Sequence, residues 1–154
     1  SIWGIFFPSR HIFINCNDAN IVIFLEQYEQ FAIKMRFRIT FTVFTNRKHK
    51  LVDGLKPEKE DIMSPKYRNS AFFNTNLDLM LRRMGVKTVV LAGTQYPNCV
   101  RGTANDAMSY DYETVVCTDA CSAKTPEVAA ANVFDMKNMG IKCISLDEVE
   151  KVYK

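Results

Sequence analysis

Three apolar runs in the last two-thirds of the chain alternate with stretches of helical spacing. The runs are VKTVVLAG (86–93), ETVVCTDA (113–120) and IKCISL (141–146), and each is rich in β-branched residues. Because apolar residues fill adjacent positions in each run, the runs are typical of strands that are buried on both faces of a parallel sheet. The alternation predicts strand–helix units that are joined by short loops.

The helical stretches carry start and stop signals. The stretch NTNLDLMLRRMG (74–85) places Leu77, Leu81 and Met84 on one stripe and ends at Gly85. The stretch 125–140 has Thr125 as the expected N-cap, a proline at the first helical position and a glycine at its end. A further helix is predicted after Ser145. Together these signals predict an α/β fold: a three-layer, doubly wound and mostly parallel sheet flanked by helices.

The first fifty residues differ in composition from the rest and contain most of the phenylalanines. HIFIN (11–15) and RITFTVFTN (38–46) have strand-like patterns. IVIFLEQYEQFAIKM (21–35) is interpreted as a helix between them. We expect a single domain over residues 1–154 whose first fifty residues have diverged.

Composition narrows the class of protein. A chain of 154 residues with 47% hydrophobic and 24% charged residues is large enough to bury a core. Its net charge of +3 is small and its longest basic run is RKHK (47–50), so no nucleic-acid partner is expected.

The apolar start IWGIFF is too short to span a membrane, so no membrane association is expected. Five cysteines without a C-x-x-C pair indicate a reducing compartment, and we expect a cytoplasmic location.

Cys99 occupies a position that suits a reactive thiol. It follows the strand that ends at Gly93 and opens a helical stretch, with Asn98 as the expected N-cap and Cys99 as the first helical residue. Ligands of open α/β sheets bind at the carboxyl ends of the strands. The N-terminus of a helix favours a thiolate and can hold an oxyanion. The alternative is an unreactive cysteine that is buried at the start of a helix.

Three motifs surround this cysteine. The chain reads K-x-R-x-S-A-F at 66–72, T-x-L-x-x-x-L at 75–81 and G-x-x-x-x-x-C-V-x-x-T-A-x-D-A at 93–107, and the pair Asp119 and Ala120 follows the next strand. In this order the motifs resemble those of the cysteine hydrolase superfamily that includes isochorismatases, nicotinamidases and N-carbamoylsarcosine amidohydrolase. The resemblance covers about the last two-thirds of the chain.

The resemblance implies a Cys–Lys–Asp triad and cleavage of a small amide, ureido or related C–N bond. Cys99 would be the nucleophile, and Lys66 the cation that holds the thiolate and relays protons. Without the resemblance, Lys66 would be interpreted as an exposed loop lysine. Gln95, Tyr96 and Phe72 are candidates for substrate binding by their positions in the matched loops, although each of them is equally compatible with a packing role.

The triad acid is the point at which the resemblance fails. The family places an aspartate at the end of its first strand, where this chain reads HIFINCNDAN. Aligned by the strand, Asn15 takes that place, and an amide cannot accept the proton. Aligned by the N-D pair, Asp18 is the candidate acid. The alternative for Asp18 is a turn or helix-capping residue.

Nicotinamidases of this superfamily bind a divalent metal near the second strand, but the stretch TNRKHK offers only His49, and His11 is the one other histidine. We therefore expect no metal and no cofactor. A small-molecule substrate and a homo-oligomer are expected. One rival hypothesis is a non-catalytic member of the fold that serves as a binding or oligomerisation module. Another is a thiol-based redox protein, which is disfavoured because no resolving cysteine lies close to Cys99 in sequence; Cys121 could serve only if folding brings it near Cys99.

Overall fold

The computed structural model describes residues 13–15, 21–26, 34–36, 39–44 and 62–152, with the side chains of residues 66–152 other than Thr94 and Glu150. Five strands precede Lys66: β1 (Phe13–Asn15), β2 (Ile21–Glu26), β3 (Lys34–Arg36), β4 (Ile39–Phe44) and β5 (Ile62–Pro65).

Strands and helices alternate after Lys66. In order they are α1 (Leu77–Arg83), β6 (Thr88–Thr94), a π-helical turn (Tyr96–Val100), α2 (Arg101–Ser109), β7 (Glu113–Ser122), α3 (Pro126–Asn138), β8 (Lys142–Ile144) and α4 (Leu146–Val152). No helix within the described ranges is both long enough and apolar enough to cross a membrane.

The main sheet has six parallel strands in the order β5-β4-β2-β6-β7-β8. The chain moves outward from β2 through β4 to β5, then crosses to β6 and moves outward the other way. A doubly wound sheet of this kind has its topological switch point between β2 and β6, and ligands bind at such a point. The predicted fold class is therefore confirmed. β1 and β3 form a separate parallel pair.

The interpretation of residues 21–35 as a helix is wrong. Ile21–Glu26 is the strand β2, which lies between β4 and β6, and β3 overlaps the end of the same stretch. A short apolar run suits a buried strand as well as a buried helix, so periodicity alone does not separate the two. The β-branched residues at the start of β2 favour the strand. The strands predicted within 11–15 and 38–46 are present as β1 and β4.

The predicted start and stop signals of α1, α3 and α4 are confirmed. Leu77 and Leu81 of α1 are 0% exposed, and Gly85 follows the helix with φ +69°. The Thr125 hydroxyl accepts a hydrogen bond from the N–H of Val128 at 3.4 Å, which caps α3. α4 begins with a capping box in which the backbone N–H of Ser145 donates to the Glu148 carboxylate at 2.8 Å.

Candidate functional site

The segment after β6 carries Cys99. Gly93 has φ +134°, a conformation that residues with a Cβ rarely adopt, and the pairing of β6 with β7 shifts register between Leu91 and Gly93. The chain then enters the π-helical turn, in which the N–H of Val100 donates to the carbonyl of Gln95 at 3.3 Å. The turn continues directly into α2. π-Helical turns of this kind are frequent at functional sites.

The prediction that Asn98 caps the helix and Cys99 starts it is wrong. The N-cap is Gln95, and the helical turn begins three residues earlier than predicted, at Tyr96. Asn98 is already inside the turn, because its N–H donates to the Gln95 carbonyl at 3.2 Å. Pro97 lies in the first turn, where its missing N–H costs no hydrogen bond. Cys99 remains within the first turn of a continuous helical segment and is half-buried.

Lys66 is buried, with 2% of its surface exposed, so the alternative of an exposed loop lysine is wrong. It immediately follows β5, at the same edge of the sheet as the end of β6. Its Nζ donates a hydrogen bond to the carbonyl of Asn69 at 3.2 Å. The ammonium group is therefore tied to the backbone of its own loop.

The loop from Lys66 to α1 is held by side-chain hydroxyls. The N–H of Phe72 donates to Ser70 Oγ at 3.1 Å, and Thr75 Oγ1 donates to the carbonyl of Ala71 at 2.7 Å. The N–H of Ala71 donates to Thr103 Oγ1 of α2 at 3.1 Å. The serine and threonines of the motifs thus hold the backbone of the loop and bind it to α2.

Tyr96 is buried beside a cavity of about 530 Å³. One face of α3 and the ends of β7 and β8 form the other walls. The Tyr96 hydroxyl donates to the carbonyl of Thr118 at 3.0 Å, and burial raises the pKa of this hydroxyl above its ordinary value. Cys99 and Lys66 are not among the residues that line this cavity. Gln95, the N-cap of the π-helical turn, is half-buried.

Phe72 lies at the other end of α2 from Cys99. Its ring packs against the rings of Tyr110 and Tyr112, with centroid distances of 5.4 and 5.9 Å. Tyr110 follows the last turn of α2, whereas Cys99 precedes its first turn. This geometry favours the packing alternative for Phe72. Its role in substrate binding stays a prediction.

The candidate acids lie in the first fifty residues. Asn15 ends β1, which belongs to the separate two-stranded sheet, and Asp18 lies outside the described residues. β2 ends at Glu26, whose backbone pairs in register with Gly93 at the carboxyl edge of the main sheet. Sequence reasoning missed Glu26 because it assigned residues 21–35 to a helix. The pattern that indicates a strand was present, because the run is apolar and β-branched and ends at this carboxylate.

Asp119 of the downstream D-A pair has a structural contact. Its Oδ1 accepts a hydrogen bond from the N–H of Leu146 at 2.9 Å, so it binds the first residue of α4 to β7. This structural role is sufficient to explain the motif match at Asp119.

The other described cysteines are core residues. Burial raises the pKa of the Cys117 and Cys143 thiols above the ordinary value. Cys121 is buried, and its thiol points to the carbonyl of Leu91 in β6 at 3.8 Å. This contact lies inside the sheet and adds no support to the redox hypothesis.

A metal site has few possible ligands. Among the residues that the structure describes, no group of three or more histidines, cysteines and acids is arranged to hold a metal ion. His11 and His49 lie outside those residues. The expected absence of a metal stays a prediction.

The sequence matches a known family over most of its length. Residues 11–148 match the family described as Isochorismatase domain. Over 100 residues the chain is 51% identical to a probable inactive nicotinamidase from Arabidopsis thaliana, in a match that covers 64% of this chain and 51% of that protein. Over 88 residues it is 39% identical to the ureidoacrylate amidohydrolase RutB of Acinetobacter baylyi, with 56% and 36% covered. The matches thus span about half or less of these relatives.

Solved structures give the same fold. An isochorismatase family protein from Desulfovibrio vulgaris superposes with a TM-score of 0.76 at 29% identity, covering 88% of this chain and 98% of that one. N-carbamoylsarcosine amidase from Thermoplasma acidophilum superposes with a TM-score of 0.68 at 22% identity, covering 84% and 98%. At this identity the second likeness shows the fold alone.

We predict that Cys99 reacts with iodoacetamide before the other described cysteines. It is half-buried at the start of a helical segment, whereas Cys117, Cys121 and Cys143 are buried. Mass spectrometry after substoichiometric labelling at neutral pH measures the order of reaction. Labelling of Cys117 or Cys143 at the same rate as Cys99 would contradict the assignment of Cys99 as nucleophile.

Proposed function

Because the chain belongs to the isochorismatase family, we propose that it is a cysteine hydrolase that cleaves a small amide, ureido or related C–N bond. The observation that carries this proposal is the burial of Lys66 in a loop bound to the helix that follows Cys99. A buried ammonium near a half-buried thiol at a helix start is the environment that stabilises a thiolate. We propose that a ligand reaches Cys99 at the topological switch point beside β6.

The proposed reaction has two steps. The Cys99 thiolate attacks the carbonyl carbon, a C–S bond forms, and the negative charge on the carbonyl oxygen is stabilised by backbone N–H groups of the turn. The C–N bond then breaks, and the leaving amine takes a proton from Lys66. In the second step water attacks the carbonyl carbon of the thioester (a thiocarbamate when the substrate is a ureide), and Lys66 takes back a proton from the water with the acid of the triad as its partner. The C–S bond breaks, the Cys99 thiolate is restored, and the carboxylic acid or carbamic acid leaves.

The name of one relative supports the substrate class. Ureidoacrylate amidohydrolase is named for an amide bond of a ureido compound. We propose that this chain acts on the same class. Gln95 and Tyr96 are the described residues proposed to contact the substrate, because they flank the end of β6 just before Cys99.

The acid of the triad is proposed to come from the first fifty residues. Asp18 is the candidate that the motif suggests. Glu26 is a second candidate, because the strand order brings its backbone to the carboxyl edge of the sheet between the strand ends that precede Lys66 and Cys99. We further propose that the chain forms one domain over 1–154, works in the cytoplasm as a homo-oligomer and needs no metal.

A second candidate function is a non-catalytic module with the same fold. It is favoured by the 51% identity to a relative that is named a probable inactive nicotinamidase. The alignment by the first strand, which puts Asn15 in the place of the family's aspartate, is consistent with the same idea.

Turnover on a panel of small amides and ureides tests the proposal directly. We expect the wild-type chain to hydrolyse at least one member, Cys99→Ala to abolish this activity, and Lys66→Met to lower it about 100-fold or more. Lys87→Met is the matched control, because Lys87 is exposed beside β6 and should leave turnover unchanged. A folded wild-type protein that hydrolyses no member of the panel would support the non-catalytic module.

Amide substitutions identify the acid. We expect either Asp18→Asn or Glu26→Gln to lower turnover about 100-fold or more, as the loss of an acid–base group does, and the other to stay near wild type. Steady-state rates on the best substrate of the panel provide the measurement. If neither variant loses activity and Asn15→Asp raises it, the acid has been lost from this chain. If none of the three changes turnover, the proposed triad is wrong.

A further inference from the structure

The sheet alone leaves the two proposed reactive groups far apart. Lys66 follows β5 and Cys99 follows β6, and the strand order puts three strand spacings between these two ends. At about 4.8 Å per spacing, the strand ends are about 14 Å apart. An ammonium group stabilises a thiolate when the charges lie within about 4–6 Å of each other. The loop after β5 must therefore hold Lys66 toward the helix that carries Cys99.

Thr103 of α2 holds this loop by a hydrogen bond. Its hydroxyl oxygen accepts the hydrogen bond from the N–H of Ala71 at 3.1 Å, and the two residues are 2% and 1% exposed. The carbonyl of Ala71 accepts a hydrogen bond from the hydroxyl of Thr75 at 2.7 Å. The carbonyl of Ala71 is thus hydrogen-bonded within the loop, and the N–H of Ala71 is hydrogen-bonded to α2.

The connection extends to Lys66 through Asn69. Lys66 Nζ donates to the carbonyl oxygen of Asn69, and a Cβ built on Gly102 would lie 3.7 Å from the carbonyl carbon of the same residue. Gly102 is the neighbour of Thr103 in the first turn of α2. The backbone of Asn69, which accepts the hydrogen bond from the lysine ammonium, therefore lies close to the start of α2. Cys99 lies just before α2 in the same helical segment.

We infer that Thr103 is a positioning residue whose hydroxyl keeps the Lys66 ammonium beside the Cys99 thiolate. This inference rests on the roles proposed above for Lys66 and Cys99. Without the hydroxyl, the buried N–H of Ala71 loses its acceptor, and the loop shifts to find another. The shift carries the ammonium away from the thiolate, so Cys99 loses its proton only at a higher pH.

The test is the pH dependence of Cys99 alkylation by iodoacetamide, which is measured by mass spectrometry of the Cys99 peptide and needs no substrate. In Thr103→Val, a variant of similar shape without the hydroxyl, the inflection is expected to rise by about one pH unit. The alkylation rate below the inflection then falls about tenfold. Thr103→Ser retains the hydroxyl and is expected to keep the wild-type inflection. If Thr103→Val does not fold, Thr103→Ala serves the same purpose with less steric demand.

Thr114→Val is the matched control. Thr114 is also a buried threonine, and its hydroxyl donates to the carbonyl of Tyr112 at 3.1 Å, at the amino end of β7. Its loss should leave the Cys99 inflection unchanged. Hydrogen exchange of the Ala71 amide gives a second readout, which should be faster in Thr103→Val and unchanged in Thr114→Val.

The variant Lys66→Met separates the proposed partnership of Lys66 and Cys99 from the proposed positioning role of Thr103. If this variant keeps the wild-type inflection, the proposed partnership of Lys66 and Cys99 fails, and the inference fails with it. If Lys66→Met raises the inflection while the Thr103 variants without a hydroxyl do not, the partnership stands and the positioning role of Thr103 is overturned.

Discussion

Burial of the Lys66 ammonium is the constraint on which the candidate site depends. A buried cation persists only where protein acceptors or opposite charges replace water, so the chain around it must be fixed. One acceptor is the Asn69 carbonyl at 3.2 Å. The loop itself is held by the hydroxyls of Ser70, Thr75 and Thr103, which form hydrogen bonds with its backbone N–H and carbonyl groups. These hydrogen bonds hold the loop that contains Lys66 against α2.

The residues that match the motifs have two kinds of role. Cys99 and Lys66 are proposed to react, whereas Gly93 supplies a backbone conformation with φ +134° and Asp119 holds the start of α4 by a hydrogen bond of 2.9 Å. A motif match does not distinguish the two kinds, because both depend on residue type. The hydrogen bonds and backbone angles distinguish them. A matched motif can therefore preserve the architecture of the site in a chain whose catalytic acid is lost, and the non-catalytic candidate describes that case.

Local signals in the sequence predicted the elements after residue 70, because caps, glycine stops and apolar stripes act within a few residues. Three features could not be predicted from local patterns. β2 was misassigned, because a short apolar run suits a buried helix as well as a buried strand, and its position between β4 and β6 decides the assignment. The π-helical turn moved the N-cap from Asn98 to Gln95 and the helix start from Cys99 to Tyr96, because a shift in hydrogen-bond partner leaves no pattern of residue types. The burial of Lys66 depends on tertiary packing, which residue type alone does not reveal.

One distance decides whether the fold brings the Lys66 ammonium to the Cys99 thiolate. It is the distance from Lys66 Nζ to Cys99 Sγ in a crystal structure of the chain at neutral pH. We expect about 4 Å, within the range in which the two charges stabilise each other, with the N–H of Ala71 still bound to Thr103. A separation well beyond about 6 Å, with Lys66 turned away from α2, would show that Lys66 is not the partner of Cys99.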